Sequence, residues 1–481
     1  MSTIFLPPKS SSTCDHSKLV SSPSSNASLA GYKRPNLSQR IAATTPQGTA
    51  KGLTAKNLIG EENSPAFPAP LVLPDDDLSW DPKHPPQSLR SWIREKDRNA
   101  VTPERRTIYL AAPPDTEPGL EFIQEWTQPQ LRGPIKEKRV DFPRTKDVLS
   151  YLEAFYHGLP VKMLPHPHPC FTTDVNDEVM DSPPAPKEKP KTTKTSTAPS
   201  PTLWLNTHTP SGCIGIRSRA TPSGSFTHRL NLNDLLDAAI DMLPSDAYAL
   251  LLLVQHDIFE DEDDDFACGR AYGGSRIAVV SGARYDPVLD ALQALERGHA
   301  WPASHCAEYV RGCCGEVRRD IGGDATSGGS ASPMRAAVAA HVSLPCLERA
   351  ASVAALEGLW LGRLCRTASH ELGHCFGIDH CVYYACAMQG TASVVEDARQ
   401  PPYLCPIDLA KVLKATGADE RDRYRSLLEF CERNKEVHLF AAYGAWIYRI
   451  LEWREWCRNI GLVRWRIRRY RTDSDENMDN G

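Results

Sequence analysis

Stretches with apolar residues at helical spacing alternate along this chain with short runs that are apolar throughout. Ser88–Arg98 (SLRSWIREKDR) predicts a helix, and Thr107–Ala112 (TIYLAA) a short buried strand ended by Pro113-Pro114. Val148–Leu159 repeats helical spacing, and PVKML after it predicts a second strand. A helix over Asn233–Leu243 follows, with Asn231 or Asn233 able to cap its start and Pro244 stopping it. Tyr248–Val254 is a continuous apolar run, and Phe266–Tyr272 and Ile277–Ser281 are two further strands separated by Gly273-Gly274. Leu347–Phe376 has helical character without proline, and a shorter helical piece runs from Asp408 to Lys414. A helix, a buried strand and then a Gly-Gly hairpin point to an α/β fold of the mixed, α+β kind.

Elsewhere periodicity is lost. Residues 1–85 are rich in Ser, Pro, Thr, Asn and Ala with few aromatics, and are expected to be disordered because they bury too little to offset ordering of the backbone. Residues 165–201 carry a Pro/Lys/Thr tract and predict an exposed insertion. The acidic run Glu260–Asp265 reads as a solvated loop, since it lacks the spacing and glycine of a calcium loop. Residues 421–481 form a helical C-terminal extension in which Trp446, Trp453, Trp456 and Trp465 mix with many arginines. Such a helix either lies on a membrane or nucleic acid or packs its aromatics on its own domain.

Charge and cysteine content narrow the picture. Lys+Arg 55 against Asp+Glu 60 gives −5, so no overall basic field draws the 481-residue chain to nucleic acid. No apolar run is long enough to span a membrane, and the N-terminus lacks the apolar stretch of a signal peptide. An intracellular protein, cytoplasmic or nuclear, is expected. Fifteen cysteines in a reducing compartment direct attention to metal binding rather than disulfides.

The chemistry is concentrated in His370–His380, HELGHCFGIDH. On a helix, His370 and His374 lie one turn apart on one face and can reach the same ion, while Glu371 projects beside it as a general base. Gly377 can end the helix with a positive φ, and the returning chain supplies His380 as third ligand. Three imidazoles leave a fourth position open, which distinguishes a catalytic zinc from a structural one. Five fixed residues in eleven positions make this string far more specific than HExxH alone.

A second group follows. Cys381, Cys386 and Cys405 suit a structural zinc, with Asp408 in the place of a fourth ligand. Three reduced, buried cysteines and a helix-capping Asp408 are the other reading of the same residues. Cys375 points away from the ligand face and reads as a buried thiol. Cys14 could in principle block a catalytic zinc, but no motif around it supports that role.

The string HELGHCFGIDHC, four residues, C-A-M at Cys386–Met388, and then Cys405 resembles the archaemetzincin family of zinc metallopeptidases. Tyr151–Leu164, Leu232–Phe259 and Gly269–Tyr285 look like the family's upstream subdomain. The resemblance covers about residues 105–415 and treats 165–201 and 286–345 as insertions, the latter expected to be flexible. It implies a metzincin-like twisted mixed sheet over an active-site helix, within a catalytic domain at 86–420. It also implies a catalytic zinc on His370, His374 and His380, Glu371 as general base, and Met388 as the Met-turn residue beneath the metal. The family's second zinc is held by four cysteines, mapping here to Cys381, Cys386, Cys405 and position 408, which is Asp. An edge strand at Phe266–Tyr272 would pair with an extended substrate.

The expected function is a zinc-dependent metallopeptidase acting on peptide or protein substrates, with an aminopeptidase as one form of it. The alternative is a non-catalytic zinc-binding interaction protein, which would have no need of Glu371 to hold its metal. A nucleic-acid or membrane adaptor working through the Trp/Arg segment is a third reading, disfavoured by the net charge.

Overall fold

The computed structural model describes residues 14, 16–51, 66–131, 138–173, 203–209, 212–261, 265–316, 332–348 and 351–459. Its centre is a five-stranded sheet in the order Gly269–Tyr272, Ile277–Ser281, Ala247–Val254, Thr107–Ala111, Val161–Met163. The last four are mutually parallel, and the edge strand Gly269–Tyr272 runs antiparallel to Ile277–Ser281. The three central strands, Ile277–Ser281, Ala247–Val254 and Thr107–Ala111, are buried on both faces, which is why they read as unbroken apolar runs rather than alternating ones.

Alternation nevertheless decides which layer each side chain joins. Ile108, Leu110, Tyr248, Ala249, Leu251, Leu253, Ala278 and Val280 face one core together with Leu364, Ala368 and Leu372 of the long helix Val353–Cys375. Tyr109, Ala111, Leu250, Leu252, Val254, Ile277 and Val279 face a second core. That core holds Leu232, Leu235, Leu236 and Ala239 of the helix Leu232–Asp241, which Asn231 caps by accepting from the Asp234 N–H. A four-stranded sheet (Asp115–Thr116, Cys170–Thr172, Leu203–Asn206, Cys213–Ile216) closes this second layer with Phe171, Leu203, Leu205 and Ile216. The expected α/β class and the sheet over the motif-bearing helix are what the chain adopts.

Three expectations about the flanks are corrected. Over its described residues, the segment 1–85 is folded: it contains helices Ser25–Ala30, Leu37–Ala43 and Asp77–Trp80. Tyr32 donates to the Val382 carbonyl at 2.7 Å, Arg34 Nε to the Tyr383 carbonyl at 2.9 Å, and Phe67 meets Tyr384, Tyr403 and Trp446 edge-on. The segment has few apolar side chains, but Tyr32, Phe67, Val72 and Leu78 dock into the core shared with the rest of the chain, which average composition cannot register.

Residues 286–316 and 332–345 are also folded rather than a flexible insertion. Asp290, nearly fully buried, accepts from Arg297 at 2.7 Å and from both terminal nitrogens of Arg363 at 2.7 and 2.9 Å, tying this region to the long helix. Finally, no boundary falls at 420. Helices Glu420–Arg433 and His438–Asn459 put Tyr424, Leu427, Phe430, Phe440, Trp446 and Ile450 into the same core as the long helix. Trp446 is fully buried, stacks on Tyr403 at 4.4 Å and donates to the Ala66 carbonyl at 3.0 Å, so this tryptophan packs on its own domain. The tract at 174–202 and the arginine-rich residues beyond 459 lie outside the described residues. Among the described residues no helix is long and apolar enough to cross a membrane.

Candidate metal centre

The long helix starts at Ser352, whose hydroxyl accepts from the Ala355 N–H, and stops at Phe376 because Gly377 turns the chain with φ +70°. His370 and His374 stand on its last two turns. His370 Nδ1 donates to the Ala387 carbonyl and His374 Nδ1 to the Ile378 carbonyl, both at 2.7 Å. These bonds fix the tautomers, so each ring turns a proton-free Nε2 to the same point, and the two Nε2 atoms lie 3.0 Å apart. His380, returned by the turn, joins them, with one ring nitrogen of each histidine within 4.8 Å of the others. Ligands on a tetrahedral zinc, bonded at ~2.0–2.1 Å, stand about 3.4 Å apart, so the donor set fits that ion. Burial lowers the pKa of all three, His374 to about 4, and neighbouring imidazoles lower His370 and His374 further. Neutral imidazole is the form that binds metal.

Glu371 is 8% exposed and lies against the edge strand. A methyl group on Gly269 would be 3.0 Å from its Cγ, tighter than an ordinary contact, so a side chain there would press on Glu371. Burial pushes its carboxyl up to about 8, against the pull of the Arg270 guanidinium. Met388 is fully buried beneath the helix, where a methyl on Gly373 would fall 2.4 Å from its Sδ. Tyr156 donates to the Ser369 carbonyl at 2.6 Å and braces the same turn from the core side.

The second group is assembled as well. Cys381, Cys386, Cys405 and Asp408 are all buried, with donor atoms within 4.8 Å of one another. Cys381 Sγ is 3.6 Å from Cys405 Sγ, and Cys386 and Cys405 each lie 3.3 Å from Asp408 Oδ2. Burial works to raise the Cys381 thiol, but hydrogen bonds from Cys386, Cys405 and the Tyr383 and Tyr384 backbone overcome it and draw the thiol down. Three thiolates, a carboxylate and a divalent zinc would sum to −2. Lys411, fully buried and 2.7 Å from Asp408 Oδ1, offsets one of those charges.

Several neighbours escaped the sequence reading. Lys411 also donates to Gln87 Oε1 at 2.8 Å. Gln87 in turn bonds the Gly377 carbonyl and the Asp379 N–H, so one amide links the cysteine group to the loop carrying His380. The His84 ring lies 5.8 Å from that of His380, tilted by 42°, and the Asp77 carboxylate favours the charged form of His380 against burial. Asp77 and His84 sit in a stretch whose composition carries no periodic signal. Cys14 lies with His16 and His299 rather than with the three motif histidines.

The chain is similar to several known proteins. A model described as peptidase family M54 matches residues 347–414, which contain every residue of both groups. Archaemetzincin-2 of Mus musculus is 24% identical over 397 residues, covering 80% of this chain and 83% of the relative; that of Homo sapiens is 22% identical, covering 78% and 79%. The crystal structure of archaemetzincin from Methanopyrus kandleri aligns at 16% identity over 65% of this chain and 98% of that one, with a TM-score of 0.28. On the family model and the relatives, the chain is a zinc metallopeptidase. The relatives it is similar to over most of its length are archaemetzincins.

Proposed function

We propose that the chain hydrolyses peptide bonds at the His370/His374/His380 centre with Glu371 as general base, and that it acts as an aminopeptidase. The observation that carries the reading is the convergence of two tautomer-fixed Nε2 atoms and His380, with Glu371 next in the motif and packed close to Gly269 of the edge strand. Zinc, when bound, supplies Lewis acidity that polarises the scissile carbonyl and lowers the pKa of water toward ~7. Glu371 takes the proton of the attacking water on a carboxylate oxygen and hands it to the leaving amine nitrogen. Its raised pKa suits the second half of that transfer, and the nearby Arg270 favours the carboxylate needed for the first. The strand Gly269–Tyr272, at the sheet edge next to Glu371, offers main-chain groups to an extended peptide.

Preference for a free N-terminus is supported by what surrounds His380. Asp77, His84 and Gln87 crowd that side of the centre, and the half-exposed Asp379 carboxylate with Asp77 presents negative charge suited to an ammonium group. An intracellular site of action accords with the described cysteines, none of which is in a disulfide.

The test is digestion of matched peptides with free and acetylated N-termini, read by mass spectrometry. Stepwise loss of N-terminal residues from free peptides alone, abolished by Glu371→Gln with zinc retained, is the expected result. Internal cleavage of both sets would replace the aminopeptidase by an endopeptidase. No hydrolysis by a zinc-loaded chain would favour the zinc-binding interaction protein.

A further inference from the structure

The third group of metal-type donors lies outside both sites described above. Cys14, His16 and His299 each bring one ligand atom to within 4.8 Å of the other two. The His16 and His299 rings are 5.8 Å apart. His299 is 9% exposed and its Nδ1 is bonded to Glu296 Oε2 at 2.7 Å, while its Nε2 is buried with no hydrogen-bond partner. A carboxylate holding one nitrogen so that the other is a bare, oriented lone pair is the arrangement that supports metal-bound histidine. The ring is held in place by stacking on Tyr309 at 4.2 Å and 12°.

The backbone is arranged to match. Residues 18–20 pair with the loop at 305–307: the Val20 N–H donates to the His305 carbonyl and the Ala307 N–H to the Lys18 carbonyl, both at 2.8 Å. The N-terminal segment is thus already tied beside His299, and Cys14 and His16 are carried to it in register.

The geometry points to a further zinc site formed by Cys14, His16 and His299, with Glu296 orienting His299 from behind. One thiolate and two imidazoles are soft and borderline donors that select zinc over magnesium or calcium. The thiolate and the Glu296 carboxylate together balance the two charges of the ion. Cys14 and His16 both keep some solvent contact, which leaves the fourth position to water. The site staples the N-terminal segment to the 296–309 loop. None of its residues belongs to the HExxH centre, so it stands or falls separately from the peptidase reading.

The experiment is zinc content per chain, by elemental analysis of the full-length protein after dialysis, for wild type, Cys14→Ser and Glu296→Gln. Cys14→Ser should hold one zinc fewer than wild type, with the remaining zinc retained. Glu296→Gln should fill the site only at zinc concentrations about 10–100-fold higher, as expected when the supporting partner of a ligand is weakened. Equal zinc in wild type and Cys14→Ser overturns the assignment, and so does a loss of more than one equivalent, which would make Cys14 a determinant of the fold rather than a ligand.

Discussion

Gly373 lies inside the HExxH string at a position any helix former could fill, so its identity tests whether Met388 supports the motif. A methyl added there would sit 2.4 Å from Met388 Sδ and 2.7 Å from its Cε, about 1 Å inside the ~3.5–4.0 Å of a comfortable contact. Met388 is fully buried and cannot swing into solvent, so Gly373→Ala must displace either the sulfur or the helix. Overpacking of this kind costs about 1–3 kcal/mol, and alanine returns ~1 kcal/mol of helix propensity, leaving a net loss of up to about 2 kcal/mol. A double-mutant cycle with Met388→Ala isolates the contact. Met388→Ala alone should cost about 2–5 kcal/mol, and the double variant should be less destabilised than the sum by about 2 kcal/mol in urea unfolding. Peptide hydrolysis should fall about 100-fold in Gly373→Ala, because a shift near 1 Å in the ligand turn misplaces the reacting groups. A Gly373→Ala protein as stable as wild type, with additive behaviour in the cycle, would refute the placement of Met388 under the metal turn.

Asp290→Asn should lower stability by about 3–5 kcal/mol in urea unfolding, since it strands the buried Arg297 and Arg363; a loss under 1 kcal/mol would mean that residues 286–316 are not tied to the long helix as described. Trp446→Ala should cost about 3–5 kcal/mol and unfold cooperatively with the whole domain, whereas a separate early transition would restore an independent C-terminal extension. Burial lowers His256 and His305 from 6.5 to about 4 in the folded chain, so the unfolded chain takes up protons first on acidification. Stability from this source is complete above pH 6.5 and falls as pH drops toward 4, by about 2 kcal/mol per histidine between pH 8 and pH 5. His256→Phe should reduce the slope of the urea midpoint against pH, and an unchanged slope would remove His256 from the account.

The parts of the fold that repeat a pattern were legible in the sequence, and those that depend on contacts between distant segments were not. The strand Ala247–Val254 and the helix Leu232–Asp241 announce themselves by apolar spacing and by Asn231 and Pro244 at the helix ends. HELGHCFGIDH fixes its own geometry, because a helix and a glycine turn suffice to converge three rings. Residues 16–85 follow no period: Tyr32 and Phe67 each fill a niche made by residues hundreds of positions away. The 286–345 region was illegible for another reason. Much of its structure rests on short turns and on buried Asp290, Arg297 and His305, residue types that ordinarily signal solvent exposure. The pairing of Glu371 with Gly269 and the Lys411–Gln87 link could be found only in three dimensions.

Anomalous diffraction from crystals of the purified chain, recorded across the zinc absorption edge, tests the central claim most directly. The account predicts a zinc peak bonded at about 2.0–2.1 Å to the Nε2 atoms of His370 and His374 and to a nitrogen of His380, with the Glu371 carboxylate beside it and not bonded. A loaded crystal with no peak among these three rings, or with Glu371 itself bonded to the ion, would contradict it.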